Sequence, residues 1–350
     1  MSESDLIERL LRPDLPRRPS FTVSEVPHRA KLDQNESPFD LPEPLKREIL
    51  AGLSRLGWNR YPQPASYVRI KERFARAIGQ PAERVVLTAG CDQMILLAYW
   101  AAGGAGRRAR IFEPTYPMFG YYAEITATEL DRVVLGPDLE VVDLGGPVEL
   151  LHLVSPNNPT GGGPTRATVL EALGREPACL VFVDEAYGDY SGRTVVDLVP
   201  RHPNLLVGRS LSKSMLAGVR LGYGVGHPAL IALLEHLLFV PYHLSALQLA
   251  VAEAFDRIQP LLAERARQVV AERERVAAAL RGLGLTVWPS QANFLLFAPP
   301  DAARTYDGLL ARGVRLRNVS SMPGLGNHLR VTIGTPQENA LFLEALGESL

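Results

Sequence analysis

Lys213 lies in Ser210-Leu211-Ser212-Lys213-Ser214, among small residues that leave an amine room to attack and release a carbonyl carbon. Asp184 closes the apolar run 179–183, where a carboxylate can hold a buried cation. Asn158 and Tyr187 follow similar runs and can donate hydrogen bonds to an anionic oxygen, while Tyr116 can cover the face of a flat ring. Gly90-Cys91-Asp92 opens a helical pattern, and the free N–H groups of a helix start suit an anion. Ser210, Ser212 and Arg220 can complete that cradle, arginine being matched to bidentate phosphate contact. Taken singly, each has a plain structural reading. Lys213 and Arg220 pass as surface charges, Asp184 as a cap, residues 157–161 as a turn, and Tyr116 as packing. The inference rests on the ordered set.

A frame is needed to bring these residues together, and the hydrophobic pattern supplies one. Apolar runs at 84–88, 109–112, 150–154, 180–183, 205–207 and 222–225 read as strands, with helical stretches such as 92–102 and 168–174 between several of them. Short, nearly continuous apolar strands alternating with helices predict an α/β fold with a mostly parallel, mixed sheet covered by helices. In such sheets ligands bind beyond the carboxyl ends of the strands. The polar residues named above follow those ends in order. A long helix is expected at 261–283, ending in Gly-Leu-Gly. Beyond it the strands expected at 286–287, 294–297, 314–317 and 329–333, with helices at 302–312 and 337–347, form a smaller α+β unit. The expected division is an N-terminal arm at 1–30, a large domain at 31–250 and a small domain at 251–350.

Composition narrows the function. Of 350 residues, 46% are hydrophobic and 21% charged, the profile of a globular chain able to bury a large core. Formal net charge is −1, so no bulk positive field favours nucleic acid or anionic membrane. The basic run at 264–275 alternates acid and base at helical spacing and reads as a solvated face. Cys91 and Cys179 build no disulfide framework, and the N-terminus carries no apolar signal core, so a cytoplasmic protein is expected. The seven histidines show no His-x-x-x-His spacing, and no metal is expected. Gly222-Tyr223-Gly224-Val225-Gly226 has the wrong spacing for a dinucleotide loop.

The set answers the demands of pyridoxal 5′-phosphate (PLP): a lysine to hold it as a Schiff base, a carboxylate against the pyridine nitrogen, donors for the phenolic oxygen and a phosphate cradle. Pro156-Asn157-Asn158-Pro159-Thr160-Gly161, Asp184-Glu185-Ala186-Tyr187 and the segment 210–223 resemble fold-type I aminotransferases. The segments 31–42, 60–62, 114–119, 290–297 and 329–339 narrow the resemblance to the histidinol-phosphate aminotransferase family, over about residues 31–345.

The resemblance implies that Lys213 holds the cofactor and carries a proton at the substrate carbon. Gly90, Cys91, Asp92, Tyr116, Asn158, Asp184, Tyr187, Ser210, Ser212 and Arg220 would bind the cofactor. Tyr61 would reach the cofactor phosphate of a partner subunit, giving a homodimer with shared sites. Arg330 would bind the carboxylate of glutamate and, with Arg317, the phosphate of histidinol phosphate; Asn35 would belong to the substrate contacts. Two features depart from the family pattern. Phe21 stands where a tyrosine often touches the substrate phosphate, and the cradle segment reads Cys91-Asp92-Gln93 in place of an acidic pair. Relatives of the same architecture act on aromatic amino acids or decarboxylate threonine phosphate, and these remain the alternatives.

Overall fold

The computed structural model describes residues 3–11, 13, 27–175 and 177–350. Phe21 lies outside the described residues.

Seven strands form the central sheet: β1 (Val85–Thr88), β2 (Arg108–Glu113), β3 (Glu129–Val134), β4 (Leu150–Val154), β5 (Leu180–Asp184), β6 (Leu205–Ser210) and β7 (Gly222–Gly226). Their order is β1-β7-β6-β5-β4-β2-β3. All neighbours run parallel except β7, which is antiparallel to both β1 and β6. The inner strands are buried along nearly their whole length, because helices cover both faces and leave no side of a strand to be polar. Strand β3 (Glu-Leu-Asp-Arg-Val-Val) was not anticipated. It lies at the sheet edge and alternates partly buried with exposed residues, so it carries no continuous apolar run.

One face of the sheet packs against helix α1 (Cys91–Ala102) through Met94, Leu97, Ala98 and Tyr99, and against Ile231 and Leu234 of the helix Pro228–Leu238. On the other face Phe74 of the helix Pro64–Ala77 stacks on Phe255, ring centroids 3.9 Å apart. Burying each ring contributes about 2–3 kcal/mol.

Helix α2 (Phe255–Gly282) connects the two cores. Phe255, Ile258 and Leu262 pack in the core of the large sheet, whereas Ala266, Val269, Val276, Ala277 and Leu280 pack in the C-terminal core. The sequence reading starts this helix after Pro260; the fold starts it at Phe255, because packing of Phe255 and Ile258 outweighs the one backbone bond that proline cannot make.

The C-terminal unit holds an antiparallel sheet of β8 (Thr286–Val287), β9 (Phe294–Ala298), β10 (Arg317–Asn318) and β11 (Leu329–Thr332), in the order β10-β11-β9-β8. The run expected as a single strand at 314–317 is divided. Val314–Arg315 pairs in parallel with Ala30–Lys31, and Arg317–Asn318 pairs with β11. Ala30 and Leu32 thus pack within the C-terminal core, and the segment after them passes between the two units. Among the described residues no helix is long and apolar enough to cross a membrane.

Candidate active site

The polar residues at the strand ends meet at one edge of the large sheet. Asp184 is the last residue of β5, paired in register with Val154 and Gly208, and it is buried. Its Oδ1 accepts from the Ala186 N–H at 2.8 Å and from the Cys91 thiol at 3.5 Å. Among the described residues no ion pair reaches it, and burial pushes its carboxyl up to about 6 against those two donors. Burial likewise raises the Cys91 thiol, so it stays protonated and able to donate.

At the start of α1, Gly90 adopts φ +85°, a conformation open to glycine, and a Cβ there would sit 3.2 Å from the Arg220 guanidinium. Arg220 also takes a left-handed backbone conformation, held by Gln248 Nε2 donating to its carbonyl at 2.5 Å. Its guanidinium donates to Ser212 Oγ at 3.2 Å and to Asp92 at 3.0 Å. Ser210 Oγ accepts from the Ser212 N–H at 3.2 Å, fixing the turn that leads into Lys213. Tyr116 Oη donates to Asp92 at 3.0 Å. Burial, with the Asp92 carboxylate beside it, pushes the Tyr116 hydroxyl well above its ordinary value.

Lys213 Nζ donates to the Gln34 carbonyl at 3.2 Å. The helical turn Ser212–Leu216 that carries it is fastened from below: Tyr190 Oη donates to the Lys213 carbonyl at 2.5 Å, and Ser214 Oγ donates to Asp189. Arg209 bridges Asp189 (2.7 Å) and Glu185 (2.8 Å), with only 16% of its side chain exposed. The sequence reading assigns no role to Arg209, Asp189, Tyr190 or Gln34. Glu185, inside the Asp184–Tyr187 motif, and Arg209, just before Ser210, were the available signals; a backbone acceptor such as the Gln34 carbonyl leaves none.

Arg330 on β11 is buried and faces Arg317 across the β10–β11 pair. It donates to Asn158 Oδ1 and, at 2.5 Å, to the Asp33 carbonyl. Burial, with the like charge of Arg317 beside it, brings its guanidinium down to about 10, which leaves it cationic at neutral pH. Arg317 itself is exposed. Asn35 lies behind Tyr187, 1% exposed, donating to Tyr187 Oη at 2.9 Å. Tyr61 stands apart from this cluster. It is 78% exposed, meets the Tyr242 ring edge-on at 5.2 Å, and lines a groove of about 530 Å³ between the helices Glu43–Ser54, Pro64–Ala77 and Ala246–Glu253.

A buried carboxyl with no cation beside it among the described residues, an anion cradle and a lysine gathered at strand ends suit a flat anionic ring with a basic nitrogen. That is the equipment of an enzyme that works on amino groups. The family described as aminotransferase class I and II matches residues 27–346, and the chain belongs to it: the protein is an aminotransferase. It is 38% identical to histidinol-phosphate aminotransferase 2 of Cupriavidus pinatubonensis, over 99% of this chain and 98% of that one. It is 36% identical to the histidinol-phosphate aminotransferase of Chlorobaculum parvum, over 96% and 97%. The crystal structure of the Sinorhizobium meliloti histidinol-phosphate aminotransferase in complex with pyridoxal 5′-phosphate shares the fold, with a TM-score of 0.82 at 23% identity, covering 94% of this chain and 95% of that one.

Proposed function

We propose that the protein is a PLP-dependent histidinol-phosphate aminotransferase, interconverting imidazole acetol phosphate and L-glutamate with L-histidinol phosphate and 2-oxoglutarate. The observation that carries the cofactor reading is Asp184, a buried carboxyl that meets no cation among the described residues and is reluctant to ionise. A protonated pyridine nitrogen is the partner it suits. When bound, PLP supplies the electron sink for the carbanion left by Cα–H cleavage.

The chain's own residues do the rest. Asp184 holds the proton at the ring nitrogen, while Gly90, Cys91, Asp92, Ser210, Ser212 and Arg220 hold the phosphate and Tyr116 covers the ring. Asn158 and Tyr187 donate to the phenolic oxygen. Lys213 Nζ, resting on the Gln34 carbonyl, holds the cofactor and moves the proton at the substrate carbon. Arg330 binds the substrate carboxylate. Together with Arg317, opposite it on β10, it also takes the phosphate of the other substrate, so one cationic pair serves two anions in turn. The names of the relatives at 36–38% identity support this choice of substrate.

The reading includes a cytoplasmic homodimer. Trp58, Tyr61 and Phe239 are each more than 70% exposed, and exposed aromatics of this size favour a second copy covering them. Tyr61 would then serve the partner's phosphate site.

The test is visible absorbance after addition of PLP, followed by histidinol phosphate, phenylalanine or threonine phosphate in turn. Conversion to the pyridoxamine spectrum by histidinol phosphate, far ahead of phenylalanine, is expected. Equal conversion by phenylalanine gives the aromatic alternative, CO2 release from threonine phosphate gives the decarboxylase, and no visible band at all removes the cofactor reading.

A further inference from the structure

Asn35 is one of the few non-glycine residues with positive φ (+56°), and its side chain is buried where the N-terminal segment passes between the two units. Its hydrogen bonds orient it from three sides. The Asn35 N–H donates to Thr332 Oγ1 at 3.0 Å, so the Thr332 proton is free to go elsewhere; it goes to Asn35 Oδ1 at 3.1 Å. With Oδ1 accepting from Thr332, the amide group presents Nδ2 to Tyr187 Oη, 2.9 Å away. The Asn35 carbonyl is held by Asn293 Nδ2 at 3.0 Å. Tyr187 therefore receives a hydrogen bond from Asn35, which leaves the single proton of its own hydroxyl to point away from Asn35.

We infer that Asn35 is a positioning residue that fixes Tyr187 as a donor and ties it, through Thr332, to the strand that carries Arg330. The inference rests on the proposed cofactor and on the role of Tyr187 toward its phenolic oxygen. Thr332 and Arg330 are two apart on β11 and share a face, while Asp33 and Gln34, directly before Asn35, offer their carbonyls to Arg330 and Lys213. One turn of backbone thus touches the anion-binding arginine, the lysine and the tyrosine. A donor on the phenolic oxygen favours its anionic form and so lowers the pH at which the bound cofactor's visible band titrates.

The experiment is a pH titration of that band in the protein reconstituted with PLP. Asn35→Gly keeps the backbone conformation and removes the side chain, and its midpoint is expected to rise by about one pH unit. Tyr187→Phe is expected to raise it by about one to two units. Adding Asn35→Gly to Tyr187→Phe should produce no further rise, because the amide acts through the hydroxyl. Thr332→Val should shift the midpoint part of the way and Thr332→Ser should restore it, which keeps the test available if Asn35→Gly folds poorly. A wild-type midpoint in Asn35→Gly and Thr332→Val, or an equal shift in the Tyr187→Phe background, overturns the inference. Absence of the band in the wild type overturns the proposed cofactor instead.

Discussion

Replacing Asp184 by asparagine should stabilise the cofactor-free protein at neutral pH, and the gain should shrink in acid. The carboxyl has a reference value of 3.8 and is raised by burial to about 6. A group that holds its proton more tightly in the folded state favours folding fully below pH 3.8. That advantage is lost as pH rises through 6. Two pH units amount to about 3 kcal/mol, so the ionised carboxylate costs the empty fold roughly that at pH 8. The amide carries no charge and escapes the penalty. The difference between variant and wild type should be about 3 kcal/mol at pH 8 and about half of that at pH 5.

A second buried group runs the other way. His152, on β4 between Tyr99, Phe119 and Phe182, has no hydrogen-bond partner among the described residues for either ring nitrogen, and burial lowers it from 6.5 to about 3. Its contribution is present above pH 6.5 and lost as pH falls, by up to about 5 kcal/mol. Between pH 3.8 and 6 the two slopes oppose each other. The wild-type apoprotein should accordingly be flatter with pH in that window than either Asp184→Asn or His152→Phe. Equilibrium urea unfolding of the three apoproteins from pH 5 to 8 measures this. An Asp184→Asn variant that is no more stable than wild type at pH 8, or that gains as much at pH 5, refutes the buried-charge argument. The same substitution should weaken PLP binding, opposite in sign to its effect on the empty fold. A variant that is both more stable and equally tight for PLP would remove Asp184 from the ring nitrogen.

Further outcomes follow from the same geometry. Lys213→Ala should leave the fold intact by circular dichroism and abolish transamination; substantial remaining turnover would take Lys213 out of the chemistry. Arg330→Ala should weaken binding of glutamate and of histidinol phosphate alike, each by at least about tenfold, since a charge-assisted hydrogen bond is lost in both cases. Weakening of only one would break the shared-pocket arrangement. Co-refolding Lys213→Ala with Tyr61→Ala should recover activity that neither variant has alone, because one site in the mixed dimer keeps both residues. Activity that stays at the level of the separate variants would argue against a shared site.

The parts of the site legible in the sequence share a physical origin. Strands buried on both faces write themselves as apolar runs, and where such a run stops abruptly, as at Asp184 or Ser210, the chain has reached the sheet edge where ligands bind. Candidate residues at those ends, whose proposed roles rest on side-chain chemistry, stand out before any coordinates. Strand β3 left no such trace, since an edge strand can carry Glu129, Asp131 and Arg132 without cost to the core. The start of α2 was obscured because a local signal, Pro260, was overruled by packing of residues distant in sequence. The least legible element is the segment from Asp33 to Asn35. It works through two carbonyl oxygens and a left-handed backbone, properties that side-chain identity scarcely constrains. The sequence places Asn35 among the substrate contacts, and in the fold its amide also meets Thr332 and Tyr187. Its residue type is informative only once the fold is known. Asparagine tolerates the left-handed conformation and also offers one acceptor and one donor on opposite sides of a planar group. Glycine would keep the first property and lose the second, so the spectroscopic effect of Asn35→Gly separates what the backbone needs from what Tyr187 needs.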